Sequence, residues 1–291
     1  MSFLQRSFDF LVSSNPELGA VSKSADGSAF SIQLESKGLG IPKNSQNCTV
    51  SVVNSELWYN TPNVVAGENN ELTFHYSATS VAPSVATVYT IHITPGTYNG
   101  DTISQAIYDA ITVQYPAIAG DVVQNKRIVF KADRNAGKMI LEFSVSGSNM
   151  LGLDIDFTRP NSIGQILGFN TVIAPTVGNI YFIGDLEPKF NSFNYYLLQS
   201  DLVTNGIRIG PQFNQIIAKV LVGDTKPNFQ VIYEPNNPTL IDAQSLAGDN
   251  RRRYTFRLLD DHLKAVDTRG EYYSIQLRIS YFEPVNFSLI N

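Results

Sequence analysis

The stretch RRYTFRLLDDHLKAVDTRGEYYSIQLRISYF, residues 252–282, contains the pattern that decides the fold. Apolar and polar residues alternate at 254–259 and again at 272–281, and a turn rich in aspartate separates the two runs. Side chains two positions apart in a strand lie on the same face, so such alternation is typical of half-buried β-strands and not of helices. The stretch therefore predicts two strands, each with one face toward a core.

The same alternation extends over most of the chain. It occurs in runs at residues 29–34, 49–58, 71–76, 192–198, 216–222, 228–233, 254–259 and 272–281. Turns rich in glycine and proline separate many of the runs, because glycine permits positive φ and proline removes a ladder donor. Eight strands joined by long connections, and not by two-residue hairpin turns, favour a mainly β fold built on a single jelly roll, an eight-stranded antiparallel β-sandwich.

Residues 86–170 have a different pattern. Residues 88–98 predict a strand, and the segment after it has helical spacing, with Asp101 as the expected N-cap. The buried face of this helix would comprise Ile103, Ile107, Ala110 and Ile111. Two further strands, at 127–132 and 138–145, precede a short helical piece at 162–169. This order predicts a small α+β domain inserted in a loop of the jelly roll.

The N-terminal segment precedes the first strong strand signal. Its apolar side chains must be buried against another surface; among them are Phe3, Phe8 and Phe10. We expect this segment to form an arm, and a neighbouring subunit is one candidate for the surface that buries its apolar side chains. The expected order is an N-terminal arm at 1–25, the first part of the jelly roll at 26–85, the inserted α+β domain at 86–170 and the second part of the jelly roll at 171–291.

Composition excludes several classes of protein. With 21 Lys and Arg against 26 Asp and Glu, the net charge of −5 argues against a broad electrostatic contact with nucleic acid, and the basic run at 251–253 is interpreted as a solvated flank of a strand. Cys48 is the only cysteine, so no disulfide can form within the chain, and we expect a buried thiol and synthesis in a reducing cytoplasm. No apolar stretch approaches the roughly 20 residues of a membrane-spanning helix.

No pattern predicts a catalytic site, a cofactor or a metal site. Asp154 and Asp156 would share one face of a strand, as calcium ligands or hydrolase carboxylates can, but no third ligand accompanies them. Asp260 lies in a turn between strands. The histidines have no metal-binding spacing; they are His75, His92 and His262. We therefore expect a protein that is not an enzyme.

Aromatic residues make up 11% of the chain, which is more than a core of this size needs. Tyrosine and tryptophan combine a large rigid face with a polar tip, which suits contacts between subunits. The candidate subunit contacts are Phe3, Phe8, Phe10, Trp58, Tyr59 and Tyr273. For Trp58, Tyr59 and Tyr273, a place in the core is the alternative.

Several segments are similar to one group of proteins. GIPKNSQNCTVSVVNSELWYNTPNV, residues 40–64, resembles the early strands of minor capsid and penton proteins of virophages and the related Polinton or Maverick elements. VYTIHITPGTYNGDTISQAI, residues 88–107, and SIGQILGF, residues 162–169, resemble the strand, helix and closing Leu-Gly-Phe of the domain inserted in such proteins. Residues 252–282 are similar to their closing strands, although the closing turn contains Ala265 and Val266 where a glycine is expected.

This resemblance implies a penton, which is a structural virion protein of which five copies close each fivefold vertex of an icosahedral capsid. The length suits a single jelly roll with an insertion, whereas the major capsid proteins of such viruses have two jelly rolls. The implied partners are further copies of the chain in a homopentamer, the major capsid protein and a host-surface ligand of the inserted domain. The implied location is the virion, after synthesis in the host cytoplasm.

Two other classes of function remain open. A jelly-roll attachment or carbohydrate-binding module at the virion surface would need an exposed aromatic platform or calcium-binding carboxylates. An enzyme with an unfamiliar site would need polar groups that converge in a pocket, for which Asp154, Asp156 and Asp260 are the candidates.

Overall fold

A computed structural model describes residues 2–35, 38–77, 87–120, 122, 128–133, 135–143, 153–176, 179–223, 225 and 228–285. The chain divides into two compact units. The first unit comprises Met1–Thr61 and Phe193–Asn291, and the second comprises Pro62–Ser192. The first unit is therefore discontinuous in sequence, and the second lies within one of its connections.

The described residues form nineteen strands, three α-helices and two short 3₁₀ helices. The strands are β1 (Ser2–Ser13), β2 (Ala20–Lys23), β3 (Ala29–Gln33), β4 (Gln46–Tyr59), β5 (Glu71–Tyr76), β6 (Thr87–His92), β7 (Ile128–Asp133), β8 (Lys138–Phe143), β9 (Leu153–Asp156), β10 (Val172–Ile173), β11 (Tyr181–Ile183), β12 (Tyr195–Ser200), β13 (Arg208–Ile209), β14 (Gln212–Phe213), β15 (Ile216–Leu221), β16 (Phe229–Tyr233), β17 (Ile241–Asp242), β18 (Arg253–Leu259) and β19 (Ser274–Val285). The α-helices are α1 (Ile103–Gln114), α2 (Pro116–Ala119) and α3 (Gly164–Leu167), and the 3₁₀ helices are Pro16–Leu18 and Gln244–Leu246.

Two antiparallel sheets form the first unit. One has the order β1-β19-β4-β16, with β17 also paired to β4, and the other has the order β15-β12-β18-β3-β2. When β2 and β17 are set aside, each sheet has four strands, and chain neighbours such as β3 and β4 or β18 and β19 lie in different sheets. This arrangement confirms the predicted jelly roll.

Alternating side chains from both sheets build the core of the first unit. Val50 and Ile279 come from the first sheet, and Phe30, Tyr254 and Phe256 come from the second. The rings of Phe30 and Phe256 stack with centroids 5.2 Å apart. Because each strand buries every second side chain, one face of each sheet supplies this core.

The predicted N-terminal arm is wrong, because residues 2–13 form strand β1 of the first sheet. Strand β1 pairs with β19 along its whole length, from Ser2 opposite Val285 to Ser13 opposite Ser274. The remaining residues of the predicted arm contain a 3₁₀ helix and strand β2. The sequence of β1 does not alternate clearly, because apolar residues also occupy its outer face, as at Leu11.

The predicted jelly-roll strand at 71–76 is β5, and it belongs to the second unit. It pairs with β6 on one side and with β9 on the other. The second unit therefore begins at Pro62 and ends at Ser192, which is wider than the segment 86–170 expected from the sequence. Alternation identifies a strand but not its partner, because the partner depends on contacts distant in sequence.

The second unit contains one four-stranded sheet, β10-β9-β5-β6, one three-stranded sheet, β11-β8-β7, and helix α1. The predicted buried face of the helix is confirmed, since Ile103, Ile107, Ala110 and Ile111 are all buried. The predicted cap is wrong, because Thr102 is the N-cap residue and Asp101 precedes it. The side-chain oxygen of Asn99 accepts hydrogen bonds from the backbone amides of Asp101 and Thr102, so this asparagine stabilises the turn before the helix.

No helix among the described residues has the length and apolarity needed to cross a membrane.

We expect the second unit to fold when it is produced alone as residues 62–192. It has its own apolar core, which includes Phe74, Ile107 and Leu141. Its two ends meet, because the Ser192 hydroxyl donates a hydrogen bond of 3.1 Å to the Pro62 carbonyl. The amide spectrum of the fragment should be dispersed, and its thermal unfolding should be cooperative. A fragment without either property would show that the unit depends on the rest of the chain.

Candidate assembly surface

The side chains that could have supported catalysis make internal contacts instead. The Asp154 carboxylate contacts Nδ1 of His75, and both residues lie on paired strands of the second unit. His92 is exposed on β6, with Nδ1 3.8 Å from a carboxylate oxygen of Glu71. Asp260 accepts hydrogen bonds from backbone amides of its own turn. Among the described residues, no three metal-ligating side chains converge.

Asp156 is buried and has several hydrogen-bond donors. Its carboxylate accepts bonds from the backbone and hydroxyl of Thr158, at 3.0 and 2.6 Å, and from Nε of Arg159 at 2.7 Å. Burial opposes ionisation of this carboxyl, but these donors outweigh it and hold its pKa below the ordinary value. Asp156 therefore closes the turn after β9, and its hydrogen-bond partners differ from the partner of Asp154.

Two arginines of the basic run at 251–253 also make internal contacts. Arg251 donates a 2.7 Å bond to the Asp249 carboxylate, and Arg253 donates a 2.7 Å bond to the Ser22 hydroxyl.

Cys48 is buried as expected, and burial raises the pKa of its thiol, with the charge of Asp242 adding to the shift. Its thiol therefore stays protonated and inaccessible at neutral pH.

The six predicted contact residues separate into three groups. Tyr59 and Tyr273 are buried in the core of the first unit, where the Tyr273 hydroxyl donates a 2.8 Å bond to the Ser28 carbonyl. Phe8 and Phe10 are partly buried and pack against the same core. The other two residues are exposed; they are Phe3, at 42%, and Trp58, at 37%. Only this last pair offers a large apolar surface to another molecule.

Trp58 lies in a groove on the outer face of the first sheet. The exposed apolar residues of this groove are Leu11, Leu18, Trp58 and Tyr272. We call it the Trp58 groove; its volume is about 480 Å³, and its polar wall includes Asn54, Glu56, Gln230 and Gln276. Trp58 lies opposite Gln230 of β16, and Leu11 lies opposite Gln276 of β19. The register of the sheet therefore determines which side chains line the groove.

Sequence reasoning found part of this groove. Trp58 stood out as the only tryptophan, and Tyr272 belongs to an aromatic pair. Leu18 carried no signal, because it reaches the groove from the 3₁₀ helix that follows β1. Exposed side chains of this size on one face are typical of protein contact surfaces.

We expect Asp156→Asn to reduce the free energy of unfolding of the second unit by about 1–2 kcal/mol at pH 7, because charge-assisted hydrogen bonds are lost. The folded-state pKa is lowered, so this stabilisation is present above the unfolded value near 3.9 and is lost as pH falls through the folded value. Denaturant unfolding at pH 7 and near pH 3 measures the difference from the wild type, which should shrink at low pH. Asp109→Asn, at an exposed position on α1, is the matched control. An equal difference at both pH values would contradict this assignment.

Comparison with known proteins gives a likeness of fold and not of sequence. No protein-family model matches the chain, and no curated protein matches it in sequence. Among solved structures, the chain is similar to the selenomethionine-labelled mavirus penton protein, with a TM-score of 0.52 and 11% sequence identity. The likeness covers 97% of this chain and 100% of the penton chain. The two chains therefore share a fold that includes both compact units.

Proposed function

We propose that this chain is a structural virion protein, a penton capsomer that forms a homopentamer and closes the fivefold vertices of an icosahedral capsid. The observation that carries the proposal is the likeness of fold to the mavirus penton protein over nearly the whole of both chains. The resemblance of residues 40–64 and 252–282 to penton proteins supports the same class.

The Trp58 groove supplies one side of the contact between neighbouring subunits of the ring. A ring closes through a heterologous contact, in which two different surfaces of the same chain meet. The groove is concave and aromatic, as the centre of an interface requires. The opposing surface is the exposed apolar edge of the two sheets, which includes Leu221 on β15 and Phe229 on β16.

The remaining partners follow from a vertex position. A capsomer at a vertex is surrounded by the major capsid protein, so the exposed flanks of the jelly roll contact that protein in the virion. The second unit is the inserted domain, and it is available for a host-surface ligand. Synthesis takes place in the host cytoplasm, which agrees with a single protonated thiol and no disulfide.

A second candidate function is attachment to a carbohydrate, and one feature of the second unit favours it. A groove of about 460 Å³ follows helix α1, and its wall combines an aromatic side chain, Tyr98, with the carboxylates of Asp101 and Asp109. Binding of the purified chain to a glycan array, with and without calcium, tests this function. Binding that Asp109→Asn abolishes would favour attachment as an additional role.

We expect the purified chain to form a pentamer of about 160 kDa, five chains of 32.1 kDa each. Light scattering across a concentration series measures the mass, and electron-microscopic class averages show the symmetry of the particles. Because a vertex protein can require its shell, the same measurement is made after mixing with the major capsid protein. A monomer under both conditions would overturn the pentamer.

Trp58→Ala should weaken the ring at least about tenfold, because it removes a buried aromatic anchor from the proposed contact. Sedimentation at a series of concentrations measures this change. In the wild type, the emission maximum of this single tryptophan should shift to shorter wavelength as the chains assemble. Val113→Ala, at an exposed apolar position on α1, is the control and should leave assembly unchanged. An unchanged ring in Trp58→Ala would exclude the groove from the contact.

A further inference from the structure

Strand β1 has a free edge that is twelve residues long. It is the terminal strand of its sheet, and it pairs on one side only, with β19. Among the described residues, no strand pairs with its other side. Such an edge presents a row of backbone donors and acceptors that can pair with another strand.

This edge lacks the features that usually prevent pairing. It contains no proline and no lysine, and its two charged residues are turned toward β19. Arg6 donates to the Glu283 carboxylate at 3.3 Å, and the carboxylate of Asp9 accepts two bonds from Arg278, at 2.8 and 3.0 Å. The charges are therefore paired within the sheet, and they do not prevent another strand from pairing with its edge.

The start of β1 is also exposed on both faces. Phe3 lies on the outer face and Leu4 on the inner face, and they are 42% and 44% exposed. Leu11, farther along the outer face, is 66% exposed. Apolar side chains on both sides of a free edge are covered when another strand extends the sheet.

We propose that β1 pairs antiparallel with β1 of a second copy of this chain, about a twofold axis at Ser7. In an antiparallel extension, opposite residues lie on the same face, so the two residue numbers of each pair must have an even sum. The register about Ser7 sets Phe3 opposite Leu11 and Leu4 opposite Phe10 of the second copy. On the outer face, two exposed apolar side chains then cover each other, and on the inner face exposed Leu4 contacts the partly buried Phe10.

The charges fit the same register. Asp9 stands opposite Gln5 of the second copy, Arg6 stands opposite Phe8, and no like charges face each other directly. Of the two adjacent even registers, the one about Phe8 sets Leu11 opposite Gln5 and Phe3 opposite Ser13, which leaves both apolar side chains facing polar ones. The one about Arg6 sets two Arg6 side chains opposite each other and Phe3 opposite Asp9. Self-complementarity about Ser7 therefore identifies a second copy as the occupant of this edge.

The twofold contact goes beyond the proposed vertex function and does not depend on it. It joins two five-stranded sheets into one of ten strands, through a surface different from the Trp58 groove, although Leu11 borders both. Without a ring, it produces a dimer. Together with a ring of five, it links one ring to others, and the angle between the twofold and fivefold axes sets the symmetry of the assembly.

Ser7→Cys tests the contact directly, because the twofold axis places the two introduced thiols opposite each other, within the range of a disulfide. After mild oxidation, a non-reducing gel should show a covalent dimer. Gln5→Cys is the matched control: it is exposed on the same face of β1, but its copies are four positions out of register, roughly 13 Å apart. Buried Cys48 should not react in either variant.

Leu4→Lys provides a second measurement that needs no disulfide. It should raise the dissociation constant of the twofold contact at least about tenfold, because a symmetric interface loses two buried leucines. Val172→Lys, at an exposed apolar position on β10 of the second unit, should leave this contact unchanged. Sedimentation of both variants measures the constant, and circular dichroism confirms that they are folded.

A covalent dimer in Ser7→Cys alone, together with weakening by Leu4→Lys, supports the twofold contact. Equal cross-linking of Ser7→Cys and Gln5→Cys, or none in either folded variant, overturns it. The ring of five is measured separately through Trp58, so the two proposals can fail independently.

Discussion

Strand β19 lies between β1 and β4, and the first sheet depends on these two antiparallel ladders. The ladder to β1 joins the first described residues of the chain to the last ones, and the ladder to β4 carries the register through two irregularities. Ile275, Leu277 and Ile279 all point from β19 into the core and are fully buried. A strand paired on both sides and buried on one face fixes the position of its neighbours.

This constraint explains why the chain can hold a long insertion. The jelly roll pairs strands that are distant in sequence, so the connection between β4 and β12 is free to vary in length. The inserted residues have a separate core and meet at their two ends, between Pro62 and Ser192. Stability within each unit therefore comes from contacts inside that unit.

Several charged residues of the protein make contacts that stabilise the fold. Asp156 closes a turn, Arg251 binds Asp249, and the pair Asp9 and Arg278 links β1 to β19. The two proposed contacts use other parts of the first unit, namely the outer face of its first sheet and the edge of β1. The Trp58 groove and strand β1 meet at Leu11, so the two surfaces are continuous.

The sequence by itself determined the fold class, seven of the eight jelly-roll strands and the buried face of α1, because alternation and helical spacing are local consequences of burial. It also gave six candidate subunit contacts, of which Phe3 and Trp58 are exposed and the other four are buried in whole or in part. Tertiary structure alone decided that β1 completes the jelly roll and that β5 belongs to the second unit. Both outcomes depend on pairing between residues far apart in the chain, such as Phe10 with Leu277, and no local pattern encodes which partner a strand takes.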